Sequence, residues 1–342
     1  MTKQLEAPTA PDVLARISDI VQPALRTAVS TMADDRMRLI ASYQLGWCDA
    51  EGRPTDAGGK AIRPALAVLS GEAVLGTSHC GLPGAVAIEL VHNFSLLHDD
   101  VMDRDLTRRH RPTGWVAFGE GDAILAGNAM LTLAVQVLLA TGIEGRRSLP
   151  HLMNATQVLI SGQSRDLYLE GRDAVTVQEV LAMEAGKTAA LLACASSIGA
   201  LAAGAPDHVV EGLESFGHEV GMAFQLIDDV LGVVGDPSRT GKSASSDVRA
   251  GKRSAPIVAA LTSDTAAGRR LAEVFAGGSP EDDDTVALAT SLIDEAGGLA
   301  WATREADTRL AKAFDHISGL GLAEPAATGL ADIATYIVAR DR

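Results

Sequence analysis

The sequence predicts an all-α protein, on three observations. Hydrophobic residues make up 47% of the chain and aromatic residues only 4%, so the apolar content comes from Ala, Leu and Val, which suits closely packed helices better than a sheet. From about Lys60 onward, apolar positions recur with helical periodicity. The periodic stretches are separated by Gly- or Pro-marked breaks at 81–84, 142–150, 171–173, 204–206, 235–241 and 277–280, none of which resembles an interdomain linker. The expected organisation is an N-terminal extension over 1–35 and a single all-α domain over 36–342, long enough to bury a sizeable core.

Taken in order, residues 1–35 mix Pro, charge and short apolar repeats, which predicts a loose start and a helix from Val13 to Val29. Asp34 and Asp35 stand among polar and basic residues and are expected at the surface. In Gly58-Gly59-Lys60-Ala61-Ile62-Arg63-Pro64 the glycines allow a tight backbone entry, and Lys60 and Arg63 are spaced to point together. This is no P-loop, since the spacer, the closing Ser/Thr and the preceding strand are missing.

An apolar helix then runs through Phe94, Ser95, Leu96, Leu97 and His98 into Asp99-Asp100-Val101-Met102-Asp103. Asp99 and Asp103 share a helix face with Ser95 and His92, and Asp100 lies roughly 100° round from Asp99. Arg108-Arg109-His110-Arg111-Pro112 follow after a turn or two of helix or a short loop. Lys187-Thr188 interrupts an Ala- and Leu-rich helix, where a snorkelling Lys is the structural alternative. Next, Phe216, Val220, Phe224, Ile227 and Leu231 form an apolar stripe, with Gln225, Asp228, Asp229, Gly232 and Asp236 on another if the helix runs that far. Lys242 and Lys252 come after it. The acid-rich Ser279-Pro280-Glu281-Asp282-Asp283-Asp284 is expected to start a helix, with Ser279 as N-cap and Pro280 at the first helical position.

Like charges at helical spacing destabilise a bare helix by roughly 0.2–0.5 kcal/mol per pair, so two carboxylate clusters inside apolar stretches call for a cation. Oxygen-only ligands favour Mg²⁺ over zinc, and Mg²⁺ is held by one or two carboxylates together with substrate phosphates. The expected ligand is therefore a phosphorylated compound, and the separate Lys and Arg sets suffice for two anionic groups. A net charge of −15 argues against a nucleic-acid or anionic-membrane surface. Cys48, Cys80 and Cys194 have neither disulfide-framework nor zinc spacing and fit a reducing cytoplasm. No signal segment or uninterrupted apolar run of about 18 residues is read, so a cytoplasmic protein without a membrane span is expected.

These motifs together resemble the trans-isoprenyl diphosphate synthase (polyprenyl synthetase) family over most of the chain, from about Gly58 to the end. Asp99, Asp100 and Asp103 with Arg108 and Arg109 match its first aspartate-rich motif and paired arginines. Gly59, Lys60, Arg63 and Pro64 match its Gly-Lys-x-x-Arg-Pro motif. Gln225, Asp228 and Asp229 match its second aspartate motif, Lys187 and Thr188 its Lys-Thr pair, and Gly162-Gln163 with Asp166-Leu167 a further segment. The resemblance implies the isoprenoid synthase fold, a helical bundle around a central prenyl diphosphate cavity, in a homodimer. It implies an allylic diphosphate held by three Mg²⁺ ions, with Mn²⁺ as an alternative, on Asp99, Asp103 and Asp228, with Asp100, Asp229 and Asp236 as further metal candidates. Arg108, Lys187, Lys242 and Lys252 would add positive charge, and isopentenyl diphosphate would sit without metal on Lys60, Arg63, His92 and Arg109. Gln225 and the Thr188 carbonyl would surround the developing allylic cation.

Two positions depart from the family pattern: Gly232 replaces a third Asp, leaving Asp236 as an outer substitute, and Ala61 replaces a basic residue. Product length is expected to follow from Phe94, five residues before Asp99 and about 7.5 Å deeper along the helix axis, beside the small Ser95. In the family that pairing resembles enzymes that make geranylgeranyl diphosphate, C20. Farnesyl diphosphate or longer products come next, followed by a class I terpene cyclase and a noncatalytic partner subunit. His98 adjoins Asp99 and is read either as tuning the site or as a core histidine.

Overall fold

The computed structural model describes residues 9–170, 172, 174–235, 245–280 and 282–339. Its elements are α1 (Ala10–Ser30), α2 (Asp35–Gln44), α3 (Ile62–Leu75), α4 (Gly81–Met102), a ribbon of β1 (Thr107–Arg108) and β2 (Arg111–Pro112), α5 (Gly114–Phe118), α6 (Glu120–Leu139), α7 (Ile143–Glu170) and α8 (Val177–Glu184). A π-helical turn (Ala185–Ala189) leads into α9 (Ala190–Ala202) and α10 (Asp207–Val234). The short α11 (Ser246–Arg249) and α12 (Ala255–Leu261) precede α13 (Ala266–Ala276), α14 (Asp283–Glu295), α15 (Gly298–Ile317) and α16 (Ala326–Val338).

Local chemistry sets the helix ends. Thr9 donates its N–H to Asp12 Oδ2 at 3.0 Å, which extends α1 beyond the expected Val13 start. Asp34, exposed as predicted, is the N-cap of α2 and accepts from the Met37 N–H at 2.9 Å. The acid-rich start of α14 corrects one expectation: the N-cap is Asp282, which accepts from the Thr285 N–H at 2.8 Å, and not Ser279. Asp and Ser cap equally well, and the Thr285 hydroxyl, which also donates to Asp282 at 2.7 Å, favours the later start.

Two compact units emerge. The first draws on residues 1–156, 194–214 and 317–333. In it α4 packs along α3 and α6, burying Ala85, Ile88, Leu90 and Leu97 completely. Helix α1, expected in an N-terminal extension, packs on α3 and α4 through Ile17, Val21 and Leu25, each at most 1% exposed.

The second unit draws on residues 157–193, 215–316 and 334–342. One cluster within it joins Val233 at the end of α10 to Val248 of α11, Ile257 of α12, Leu271 and Phe275 of α13 and Leu292 of α14. The predicted α10 stripe is only partly one face: Phe216, Val220 and Ile227 are buried, whereas Phe224 and Leu231 are half-buried, because Met222, Ala223 and Leu226 are buried as well.

Two stretches are long and apolar enough to cross a membrane by length and composition, although no uninterrupted run was expected. For Val177–Ala202, 72% of the apolar window is buried within the fold, as in the core helix of a soluble protein, whereas for Glu120–Leu139 the share is 39%.

The π turn has a packing requirement. A Cβ at Gly162 of α7 would lie 2.1 Å from the Lys187 backbone nitrogen, so only glycine allows α7 to meet the turn that carries Lys187 and Thr188. Gly162→Ala is expected to lower stability by about 1–3 kcal/mol. Thermal unfolding followed by circular dichroism checks this, and an unchanged midpoint would show that the contact relaxes freely.

Candidate active site

In the first unit α4 delivers the expected residues in helical register. Asp99 and Asp103 lie one turn apart at its C-terminal end, where the Asp103 N–H donates to the Asp99 carbonyl at 2.8 Å. Asp100 is 1% exposed, and Arg108 Nε donates to its Oδ1 at 2.7 Å while Arg108 Nη2 lies 3.8 Å from Asp99 Oδ2. Burial pushes the Asp100 carboxyl up to about 6, against the pull of Arg108. The segment after Asp103 is not helical: Arg108 sits on β1, Thr107 pairs with Pro112, and Arg109 and His110 form the two-residue turn with φ of 52° and 60°. Left-handed conformations at both positions are what a type I′ hairpin demands.

A second group of cations gathers around α3 and α4. Arg63 Nη1 lies 3.4 Å from His92 Nε2, so with the guanidinium as donor the imidazole is neutral and accepts. Burial, then the charges of Arg63, Arg109 and Arg108, hold His92 well below its usual range. Burial also brings Arg63 down to about 10, partly offset by the charge of Glu89. Glu89, which the sequence reading passed over, accepts from Asn93 Nδ2 at 2.9 Å. Its signal was available, since Glu89 precedes His92 and Asn93 by one turn. Arg109 closes on Gly59, where an added Cβ would lie 2.8 Å from Arg109 Nη2, and the neighbouring Lys60 is exposed.

Phe94 is 6% exposed, and its ring meets His98 edge-on at 4.8 Å. His98 Nε2 donates to the Ile124 carbonyl at 3.0 Å, tying α4 to α6, so packing accounts for His98. Ser95 Oγ donates back to the His92 carbonyl at 2.8 Å.

In the second unit the Thr188 hydroxyl donates to Gln225 Oε1 at 2.8 Å, and Gln225 Nε2 donates to Asp229 Oδ1 at 2.7 Å. The Ala255 N–H at the start of α12 donates to Asp229 Oδ2 at 2.9 Å. Asp229 is thus 6% exposed with both oxygens engaged, whereas Asp228 on the same helix is half-buried. Lys187 pairs with Asp166, and Lys252 is exposed just beyond α11. Asp236 and Lys242 lie outside the described residues.

Two further carboxylates escaped the sequence reading. Glu184, 2% exposed, is pushed well above the usual carboxylate range by burial and by the charge of Asp229. Asp247, 8% exposed, lies against Gly232, where an added Cβ would be 2.3 Å from Asp247 Oδ2. A carboxylate therefore does stand beside the residue where the third Asp is missing, fifteen positions later in sequence, a separation that helical periodicity cannot bridge.

The donors fit Mg²⁺. Among the described residues no group of three or more His, Cys, Asp or Glu is placed to hold a metal alone. Asp99 and Asp103 offer carboxylates one turn apart at the end of α4, which suits an ion that takes one or two carboxylates and completes its shell with water and substrate phosphate.

His92 sets a pH prediction. Its folded value lies below the unfolded 6.5, so the stability it contributes is present above that pH and lost as pH falls through the folded value. Asp100 and Glu184, whose folded values lie above their unfolded ones, act the other way as pH falls, so the test is the variant. Relative to its own pH 7 midpoint, His92→Gln is expected to keep more stability at pH 5 than the parent chain does, and an identical pH dependence would remove His92 as a contributor.

The polyprenyl synthetase family model matches residues 52–293, which contain every motif described above. The chain is 44% identical over 333 residues to a (2E,6E)-farnesyl diphosphate synthase of Mycobacterium tuberculosis, covering 96% of this chain and 92% of the relative. It is 43% identical over 298 residues to a geranylgeranyl diphosphate synthase of the same organism, covering 85% and 84%. A polyprenyl synthetase structure from Streptomyces coelicolor superposes with a TM-score of 0.90 at 44% identity, covering 95% of this chain and 98% of that one. A geranylgeranyl pyrophosphate synthase from Corynebacterium glutamicum, complexed with isoprenyl diphosphate and magnesium, does so with a TM-score of 0.83 at 26% identity, covering 96% and 98%. With its motifs, its helical fold and its relatives in agreement, this chain belongs to the polyprenyl synthetase family and is a trans-prenyltransferase.

Proposed function

We propose that the chain condenses isopentenyl diphosphate with allylic diphosphates to make all-trans geranylgeranyl diphosphate. The observation that carries the C20 product is buried Phe94 next to the small Ser95, one turn before Asp99. A growing chain directed along α4 from Asp99 and Asp103 meets the Phe94 ring, which His98 braces edge-on. A C15 product is the second reading, favoured by the 44% identity to a farnesyl diphosphate synthase.

Asp99 and Asp103 in the first unit and Asp228 in the second are assigned to Mg²⁺, three ions in all, with Mn²⁺ as a substitute. When bound, the metal neutralises the allylic diphosphate and stabilises it as a leaving group. Asp100 and Asp229 are assigned to positioning, because their hydrogen bonds hold Arg108 and Gln225. Arg108 and Lys187, with Lys242 and Lys252, add positive charge to the departing diphosphate. Gln225 and the Thr188 carbonyl supply the dipoles around the allylic cation, which the homoallylic double bond attacks before a proton passes to the released diphosphate.

Lys60, Arg63, His92 and Arg109 hold isopentenyl diphosphate through charge and hydrogen bonds. This second cation set favours elongation over a class I cyclase, which needs one diphosphate site. Homodimerisation is part of the proposal, supported by α6, whose Ile124, Leu125 and Leu139 are 41%, 57% and 52% exposed on an apolar helix.

The purified chain with isopentenyl diphosphate, Mg²⁺ and dimethylallyl, geranyl or farnesyl diphosphate is expected to yield a C20 alcohol after dephosphorylation. A C15 or longer product would discard the length assignment, and cyclic products without isopentenyl consumption would discard elongation. Phe94→Ala is expected to shift products to longer chains, measured on the same chromatogram, and an unchanged distribution would remove Phe94 as the floor.

A further inference from the structure

Two of the cations assigned to isopentenyl diphosphate, Lys60 and Arg109, stand on segments outside the helices, whereas Arg63 is carried by α3. Arg109 sits in the turn of a ribbon whose strands are two residues each, too short to persist unaided. Its turn places Arg109 and His110, both with a Cβ, in the left-handed region at φ of 52° and 60°. Lys60 ends a long loop between α2 and α3. That loop is bonded to itself by Ala57 N–H to Gly46 carbonyl at 3.0 Å, Thr55 N–H to Trp47 carbonyl at 2.9 Å and a bridge between Cys48 and Pro54.

One residue reaches both segments. Arg111, the first residue of β2, lays its guanidinium 4.2 Å from the centre of the Tyr43 ring. Its Nη2 donates to the Cys48 carbonyl at 2.7 Å, inside the loop that leads to Lys60, and its Nη1 to the Tyr43 carbonyl at 3.4 Å. The Tyr43 hydroxyl in turn donates to the Pro112 carbonyl at 2.5 Å, so the ribbon is tied to the end of α2 as well as, through Arg111 and Cys48, to the loop that follows it. Tyr43 and Cys48 are buried at 6% and 7% exposure, and Arg111 is half-buried. Tyr43 is itself braced by the edge of Phe118 at 5.1 Å. Burial raises the Tyr43 hydroxyl above its usual range, which keeps it protonated as a donor.

We propose that Arg111, clamped between the Tyr43 ring and the Cys48 carbonyl, is a positioning residue that locks the Lys60 loop and the Arg109 turn into one geometry and thereby sets the affinity for isopentenyl diphosphate. The inference rests on the reading that Lys60 and Arg109 hold that diphosphate. Arg111 acts through them, since its donors are spent on backbone carbonyls and its face on a ring. A preformed pair of cations binds a diphosphate without the cost of ordering two loops. Lysine is no substitute, because an ammonium cannot stack on the ring and bridge two carbonyls in one plane.

The test uses the full chain and four variants: Arg111→Met, Arg111→Lys, Tyr43→Phe and, as a control on the site itself, Arg109→Gln. KM for each substrate is measured at saturating co-substrate, with calorimetric titration of isopentenyl diphosphate in the absence of allylic substrate. Arg111→Met is expected to raise KM and Kd for isopentenyl diphosphate about tenfold or more, the scale of a lost charged hydrogen bond, while KM for geranyl diphosphate stays within about twofold. Arg111→Lys should fail to restore the affinity, and Tyr43→Phe should weaken isopentenyl diphosphate binding alone, to a smaller extent.

Equal loss for both substrates, or full restoration by Arg111→Lys, would overturn the proposal. Should Arg109→Gln raise KM for isopentenyl diphosphate while Arg111→Met does not, the positioning role falls and the site stands. Should Arg109→Gln leave KM unchanged, the site assignment falls, and the proposal with it. If Arg111→Met does not fold, Tyr43→Phe, which keeps the ring and removes only the hydroxyl, decides: unchanged isopentenyl diphosphate affinity then overturns the proposal.

Discussion

The ion pair between Asp100 and Arg108 is the constraint on which the first unit's site depends. A carboxylate 1% exposed at the end of an apolar helix costs several kcal/mol unless a charged donor meets it. Arg108 meets it at 2.7 Å, and in doing so fixes where the ribbon leaves α4. With Arg108 fixed, the turn residue Arg109 is carried to Gly59 and Arg111 to Tyr43. The second unit follows the same logic with neutral donors: Asp229 is buried, and Gln225 and the first N–H of α12 satisfy it. In each Asp-Asp pair the second residue is the more buried and accepts hydrogen bonds within the protein, and the first, Asp99 or Asp228, is the more accessible of the two.

The helical fold and the residues that make up both motifs were legible in the sequence because they depend on composition, on 3.6-residue spacing and on short motif separations. Asp99 and Asp103, for example, share a face simply because they are one turn apart. What escaped the sequence are contacts made across long separations. Asp247 beside Gly232, Arg111 on Tyr43 and Lys187 on Asp166 each join different elements, and no periodicity announces them. Two local features were missed for another reason. The ribbon at 107–112 has no Gly or Asn in its turn, so it lacks the usual hairpin signal, and the π turn at 185–189 follows from a steric meeting with Gly162 that is itself tertiary.

Backbone strain marks where such tertiary contacts prevail. Among the described residues the non-glycine positions with positive φ are Ala61, Arg104, Arg109, His110 and Ser245. Ala61 lies between Lys60 and Arg63, Arg104 follows Asp103, and Ser245 stands just ahead of Asp247. Each left-handed residue costs on the order of 1–2 kcal/mol. These conformations persist only where neighbouring bonds over-determine them.

The two diphosphate sites of the proposed reading therefore differ in how they are prepared. One is a set of cations, Arg63, Arg109 and Lys60, with a neutral imidazole among them. It is ready for an anion before any metal arrives, and its stiffness comes from contacts such as the one Arg111 makes. The other sets carboxylates beside its cations, two of which, Arg108 and Lys187, are already paired with Asp100 and Asp166, so in that reading its remaining Asp residues repel a bare diphosphate until Mg²⁺ reverses their sign. A diphosphate that must stay intact suits the first environment, where fixed charges bind it without drawing on its ester bond. A diphosphate that must leave suits the second, where divalent charge stabilises the departing group far more than the starting ester. Opposite starting charges thus sort two chemically similar substrates into different roles, which neither shape nor hydrophobic contact with short prenyl chains would accomplish.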